Sequence, residues 1–257
     1  MIKAVFFDVD GTLVSHKSKS VPESAKEAIY ELRKKGIKVL LSTGRHIHEL
    51  KGMPTQDMEF DGYVILNGQI GLDKNKNRVF SNPFSKEDTR ELVKIFEEKK
   101  YPFVLVNDQG HYMNLVNDYA RMALKTVSTP MPPVREYQGE KLYQATVFIP
   151  AKDDESFEKE LPQGCKLARW GAHGADIISA SGGKATGMKF FAEDLGIGQK
   201  EMMAFGDAQN DMDMIAYAGI GIAMGNAEEG LKKIADYVTT DVDEDGVANA
   251  LKKYDLI

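Results

Sequence analysis

Phe6-Phe7-Asp8-Val9-Asp10-Gly11-Thr12-Leu13-Val14 decides how this chain is read. A short apolar run, Ala4 to Phe7, stops abruptly at two carboxylates and a glycine turn. If the backbone stays extended over residues 8–10, the period of two puts both acids on one side of the strand's end. Strand carboxyl ends are where open α/β sheets bind ligands. Two anions so close repel each other, and burying them is costly without compensation. The arrangement therefore implies a bound metal, a shared proton or a solvated Asp-x-Asp-Gly turn.

Other strand ends carry related chemistry. The apolar run Met202 to Phe205 leads into Gly206-Asp207-Ala208-Gln209-Asn210-Asp211, a second cluster of acids. Ile37-Lys38-Val39-Leu40-Leu41 leads into Ser42-Thr43-Gly44-Arg45, which ends in hydroxyls and a glycine. Lys184 follows Gly182-Gly183 and opens a helix that Gly196 terminates. Acids, hydroxyls, a lysine and an arginine gathered at such ends suit a metal-assisted phosphoryl site, where positive charge and donors must meet phosphate oxygens.

These four segments, in this order, resemble the signatures of the haloacid dehalogenase superfamily, and closely those of its Cof-type sugar-phosphatase branch. Leu66-Asn67-Gly68, Ala223-Met224-Gly225-Asn226-Ala227 and Asp236-Tyr237-Val238-Thr239 are also Cof-like. The likeness covers both ends of the chain and not its middle. One departure is visible: branch members commonly have Lys-Gly after the motif lysine, whereas here the glycine is displaced to Gly187.

The resemblance implies an α/β fold: a Rossmann-like core with a central parallel sheet, plus an inserted α+β cap domain. It implies Asp8 as nucleophile, forming an aspartyl-phosphate, and Asp10 as the acid and base that serves the leaving group and then the water. Ser42, Thr43, Lys184 and Asn210 would bind the phosphate. Mg²⁺ would be held by Asp8, Asp207 and the Asp10 main-chain carbonyl, with Asp211 and Arg45 supporting from behind. The implied substrates are small organic phosphate monoesters, sugar phosphates foremost. A phosphomutase using the same intermediate is the alternative, and would need cap residues that grip a second phosphate. The middle segment offers only the scattered Arg90, Arg121, Arg135 and Arg169. A dehalogenase would not need the metal, and the intact Asp10 and Asp207 argue against it. A non-catalytic binding protein is disfavoured because every motif residue is present.

The alternation of strand and helix places the core at residues 1–81 and 182–257, with an α+β insert at 82–181. Ser20 with Glu23, and Ser85 with Asp88, read as capping boxes. Asn107-Asp108-Gln109-Gly110 reads as a hairpin turn between strands 103–106 and 111–116. His173 and Asp176, between two expected strands of the insert, are candidates for selecting the organic part of the substrate. His46 and His48 read as surface residues.

Composition excludes other classes. The net charge of −6, from 33 basic and 39 acidic residues, carries no basic nucleic-acid footprint. No apolar stretch approaches the ~20 residues of a membrane span. The apolar run at the N-terminus ends at Asp8, too soon for a signal peptide. The single cysteine, Cys165, permits no internal disulfide and suits a reducing compartment, so a cytoplasmic protein is expected. The oligomeric state is left open.

Overall fold

The computed structural model describes residues 1–127 and 129–257. The chain divides into two compact units, Met1–Ser81 with Gly183–Ile257, and Asn82–Gly182. Gly182 thus falls with the insert, one residue later than the sequence boundary, and its N–H bonds the Ser179 carbonyl at 2.8 Å.

The first half of the core contains β1 (Ala4–Phe7), α1 (Glu23–Lys34), β2 (Lys38–Ser42), β3 (Gly62–Ile65), β4 (Ile70–Asp73) and β5 (Arg78–Ser81). All four β1 residues are buried, as a central strand covered on both faces requires. Helix α1 buries Ala25, Ala28, Ile29 and Leu32, one helical stripe. It ends where Gly36 takes a φ of 79°. The Ser20 capping box does not form. Pro22, held extended at φ −54° and ψ 140°, is the N-cap, and Ser20 Oγ pairs instead with Ser18 Oγ at 2.8 Å. The proline starts the helix two residues too late for Ser20 to reach the first turn's N–H groups.

The insert contains α2 (Lys86–Glu98), β6 (Phe103–Val106), β7 (His111–Met113), α3 (Asp118–Thr126), β8 (Gln144–Val147), α4 (Asp154–Glu158), β9 (Cys165–Gly171) and β10 (Gly174–Ser179). Among its described residues, five strands form an antiparallel sheet in the order β7-β6-β8-β10-β9. Leu92 and Phe96 of α2, Phe157 of α4, and Phe103, Leu105, Ala145, Val147, Ala175 and Ile177 of the sheet build one core. Ser85 caps α2 by accepting from the Asp88 N–H at 3.0 Å. Asn107 Oδ1 closes the hairpin by accepting from the N–H groups of Gln109 and Gly110 at 2.8 and 3.0 Å. Strand β7 stops at Met113 rather than at 116. Asn114 turns its carboxamide inward, accepting from Phe103 N–H and donating to the carbonyls of Phe96 and Tyr101.

The core resumes with α5 (Lys184–Leu195), β11 (Met202–Gly206), α6 (Met212–Tyr217), β12 (Ile220–Ala223), α7 (Glu229–Lys232), β13 (Tyr237–Val238) and α8 (Gly246–Lys253). Its eight strands run β13-β12-β11-β1-β2-β3-β4-β5. The pairs from β13 to β3 are parallel, and β4 and β5 add an antiparallel margin that the sequence reading left out. The chain moves outward from β1 on one side and returns on the other, so β1 lies at the switch in strand order where such sheets bind ligands. In register, Phe7 lies opposite both Leu41 and Phe205. The residues that follow each of these strands therefore emerge side by side.

Candidate active site

The three adjacent strand ends bring together the acids and hydroxyls singled out in the sequence. Asp8, immediately after β1, is buried, and its N–H donates to the Phe205 carbonyl at 3.1 Å. Lys184, the first residue of α5, is wholly buried and donates from Nζ to Asp8 Oδ1 at 2.6 Å and to Asp211 Oδ1 at 2.5 Å. The other Asp211 oxygen accepts from the N–H groups of Asp207 and Ala208 at 2.9 and 3.0 Å. Asp211 thus has protein donors on both oxygens and braces the lysine and the turn after β11.

Several local features make that turn fit. A Cβ on Gly206 would lie 2.5 Å from Asp211 Cβ. Gly11, at φ 82°, passes so close to Asp207 that a Cβ there would lie 2.2 Å from its Oδ2. Thr12 Oγ1 donates to Asp207 Oδ1 at 3.3 Å, and Asn226 Nδ2 ties down the Gly11 carbonyl at 2.8 Å. The displaced glycine has a packing role: a Cβ on Gly187 would lie 2.3 Å from Val64 Cγ1, so α5 sits tightly on β3. Asp213 Oδ2 accepts from the Ala185 N–H at 3.2 Å and caps α5, a partner the sequence reading missed.

Arg45 grips Asp10 with two bonds, Nε to Oδ2 at 2.6 Å and Nη2 to Oδ1 at 2.9 Å. The planar guanidinium thereby fixes the orientation of the carboxylate. Thr43 Oγ1 accepts from the Arg45 N–H at 3.1 Å and shapes the turn. Ser42 Oγ is buried and, among the described residues, has no hydrogen-bond partner. A hydroxyl so placed costs free energy unless something completes it. Asn210 is half-buried and donates from Nδ2 to Asn67 Oδ1 at 3.0 Å. In the insert, Asp176 is buried and accepts from Thr146 Oγ1 at 2.8 Å, and half-buried His173 faces the Tyr119 hydroxyl at 3.3 Å.

Electrostatics single out one deficit. Carboxylate oxygens of Asp8, Asp207 and Asp211 lie within 4.8 Å of one another. Three carboxylates and the one ammonium of Lys184 leave a charge of −3 + 1 = −2 when all are ionised. Burial, with Asp211 and Asp10 adding repulsion against the pull of Lys184, pushes the Asp8 carboxyl up to about 7. Burial and the charges of Asp8 and Asp211 raise Asp207 well above the carboxylate range. Burial opposes the charge on Lys184, but Asp211 and Asp8 outweigh it and raise its pKa. Asp8 Oδ2 and Asp207 Oδ2 have no protein donor among the described residues. A divalent cation with oxygen preference fits that donor set and its charge.

Comparison with known proteins agrees with this geometry. The profile of the haloacid dehalogenase-like hydrolases matches residues 5–251. The chain belongs to that family. It is a phosphatase of the superfamily, with relatives that match along nearly their whole length. A putative phosphatase of Bacillus subtilis, YkrA, is 32% identical over 99% of this chain and 98% of its own. The 5-amino-6-(5-phospho-D-ribitylamino)uracil phosphatase YitU of the same organism is 29% identical over 97% of this chain and 96% of its own. Among solved structures, the phosphatase BT1666 of Bacteroides thetaiotaomicron superposes with a TM-score of 0.91 at 30% identity, covering 100% of this chain and 96% of that one. A subclass IIB sugar phosphatase of this superfamily, BT4131, superposes with a TM-score of 0.89 at 30% identity, covering 99% of this chain and 100% of that one. Among the described residues, no helix is long and apolar enough to cross a membrane.

Proposed function

We propose that this enzyme is a Mg²⁺-dependent phosphatase that hydrolyses small organic phosphate monoesters, sugar phosphates foremost, through an aspartyl-phosphate on Asp8. One observation carries the reading: the double charge deficit at Asp8 Oδ2 and Asp207 Oδ2, on strand ends adjacent to the unpartnered Ser42 hydroxyl. The likeness to a sugar phosphatase supports the substrate class.

Asp8 and Asp207, with the Asp10 main-chain carbonyl, would hold the ion, which when bound neutralises the carboxylates and draws charge from the phosphate. Asp8 Oδ2 attacks phosphorus while its Oδ1 stays on Lys184. The bond to the ester oxygen breaks, and Asp10 gives that oxygen a proton, so a neutral alcohol departs. Asp10, now ionised, takes a proton from a water that attacks the same phosphorus. Inorganic phosphate leaves, Asp8 is regenerated and Asp10 is protonated again. Ser42, Lys184 and Asn210 hold the phosphate oxygens, with Thr43 shaping the loop that carries Ser42. Arg45 keeps the Asp10 carboxylate aimed.

Selectivity for the organic part is assigned to the insert, because the core groups serve phosphate and metal. His173, half-buried on the β9–β10 turn beside the Tyr119 hydroxyl, is the first candidate, whereas Asp176 is buried within β10 and accepts from Thr146. Two of the four insert arginines that the mutase alternative would draw on are already engaged. Arg169 is buried against Asp154 and the carbonyls of Gly171 and Gly174, and Arg135 pairs with Glu140 over the Tyr112 ring.

A panel of phosphate esters assayed with Mg²⁺ tests the reading. Asp10→Asn separates the chemical steps. For a sugar phosphate, whose alkoxide needs a proton, the phosphorylation rate falls by about 10²–10⁴-fold. For an aryl phosphate, whose phenolate leaves unaided, phosphorylation stays fast and the second step becomes limiting, so a burst precedes slow turnover. Equal losses in phosphorylation for both esters remove the acid role.

Metal binding should also depend on pH in a definite direction. Carboxyls raised in the folded state bind more protons there than in the unfolded chain between about pH 4 and 7. For the metal-free protein this contribution therefore falls as pH rises through that window. Mg²⁺ must displace those protons, so it binds more tightly at pH 8 than at pH 5.5. The rise in melting temperature on adding Mg²⁺ is expected to be larger at pH 8. A rise independent of pH would place the ion elsewhere.

A further inference from the structure

Leu66, Asn67 and Gly68, which follow β3, have φ values of 52°, 50° and 83°. Only glycine enters that left-handed region without steric cost, and leucine seldom does. Strain of this kind persists only where the surroundings hold it, and it clusters at functional sites. The turn is held on three sides. The Leu66 N–H donates to the Arg45 carbonyl at 3.2 Å and the Asn67 N–H to the Thr43 carbonyl at 3.0 Å. A Cβ on Gly68 would lie 1.8 Å from the Gly183 carbonyl oxygen, so the turn backs onto the peptide that precedes Lys184. The Asn67 side chain is buried, and its Oδ1 accepts from Asn210 Nδ2 at 3.0 Å. One short turn thus touches the Ser42–Arg45 segment, the start of α5 and the Asn210 loop.

We infer that Asn67 is a positioning residue for phosphoryl transfer, holding the Asn210 carboxamide with its donor edge toward the phosphate. The inference rests on the phosphatase reading above, and on Asn210 as a phosphate contact. A carboxamide has one donor edge and one acceptor edge of nearly the same shape. Turned the wrong way, Asn210 would present a carbonyl oxygen to phosphate oxygens and repel them. With its Oδ1 turned to Asn210, Asn67 bonds the NH₂ edge and so favours one of the two orientations. That bond uses one N–H of Asn210, and the second has no protein partner among the described residues. Asn67 makes this contact in the left-handed conformation, with its own N–H on the Thr43 carbonyl. The competing account is that asparagine is present only because it tolerates positive φ.

A double-mutant cycle distinguishes the two. Asn67→Gly keeps the turn without strain and removes the acceptor, and Asn210→Ala removes the donor. The readouts, all with Mg²⁺, are kcat and KM for an aryl phosphate and the inhibition constant of inorganic phosphate. Each single change is expected to lower kcat/KM and weaken phosphate inhibition about tenfold, and the double variant to be no worse than Asn210→Ala alone, a coupling of about tenfold. Losses that multiply to about a hundredfold would reduce Asn67 to a turn former and overturn the inference. A wild-type Asn67→Gly beside an impaired Asn210→Ala overturns it too, and leaves the phosphatase reading untouched. An Asn210→Ala without effect overturns it together with the phosphate contact of Asn210, while Asp8→Asn tests the nucleophile separately. If Asn67→Gly melts below the assay temperature, Asn67→Asp replaces it, because aspartate tolerates positive φ and keeps an acceptor. In that background Asn210→Ala should cost as much as in the wild type. A clearly smaller loss overturns the inference.

Discussion

Asp8→Asn is expected to leave a folded protein with no measurable turnover, a loss of at least about 10⁴-fold in kcat. An amide oxygen is a poor nucleophile and a weak ligand for a hard cation, yet it has nearly the shape of the carboxylate. Lys184 keeps an acceptor at position 8 and retains its ion pair with Asp211, so the core should pack as before. The same change removes one charge from a cluster in which three carboxylates face one ammonium. The metal-free variant should therefore melt at or above the wild-type temperature at pH 8, as expected where function keeps like charges together. Two measurements decide the matter: steady-state hydrolysis of an aryl phosphate, and a thermal melt in chelator. Activity within a hundredfold of wild type would remove Asp8 as the nucleophile. A variant that melts far below wild type would show that the carboxylate is structural.

Much of this site was legible because its chemistry sits at strand ends. A buried apolar run that stops at an acid or a hydroxyl marks both the sheet and the site, and Asp8, Ser42 and Asp207 were found that way. Lys184 was legible only through its place in the order of the family's motifs, at the start of a helix that Gly196 ends at φ 63°. What stayed hidden depends on contacts far apart in the chain. Nothing local announces that Arg45 holds Asp10, 35 positions away, or that Asn67 meets Asn210 across 143. The segment 66–68 stood out, but its strain shows only in the backbone angles. Strands β4 and β5 are four residues each, glycine breaks the first, and their pairing depends on the Asp73 turn between them. His46 corrects a surface reading. It is buried, accepts from the His48 N–H through Nδ1 at 3.2 Å and contacts the His48 ring at 4.7 Å, capping a short helical turn. Histidine is an uncommon cap, so residue preference pointed elsewhere.

Lys184→Met is expected to be the most damaging of these substitutions for stability, and to cost most of the activity too. The ammonium is wholly buried between Asp8 and Asp211, and methionine fills similar volume without the charge. Two buried carboxylates then lose their shared cation, and removing one partner from such a pair costs about 3–5 kcal/mol. The sign of the pH dependence follows. Without the lysine, the already raised Asp8 carboxyl is pushed further up by burial and the charge of Asp211, so the folded variant binds a proton that the unfolded chain releases. The metal-free variant should therefore be closest to wild type near pH 5 and lose ground as pH rises toward 8. Mg²⁺ should recover part of the stability at pH 8, since it supplies positive charge to Asp8, but little of the activity. Phosphorylation would still lack the charge that steadies Asp8 Oδ1 during attack, and kcat should stay at least about 10³-fold down. Melting curves at pH 5 and pH 8, with chelator and with Mg²⁺, read all of this. A variant that melts with the wild type across that range would mean that Asp211 and Asp8 do not depend on Lys184 for their burial.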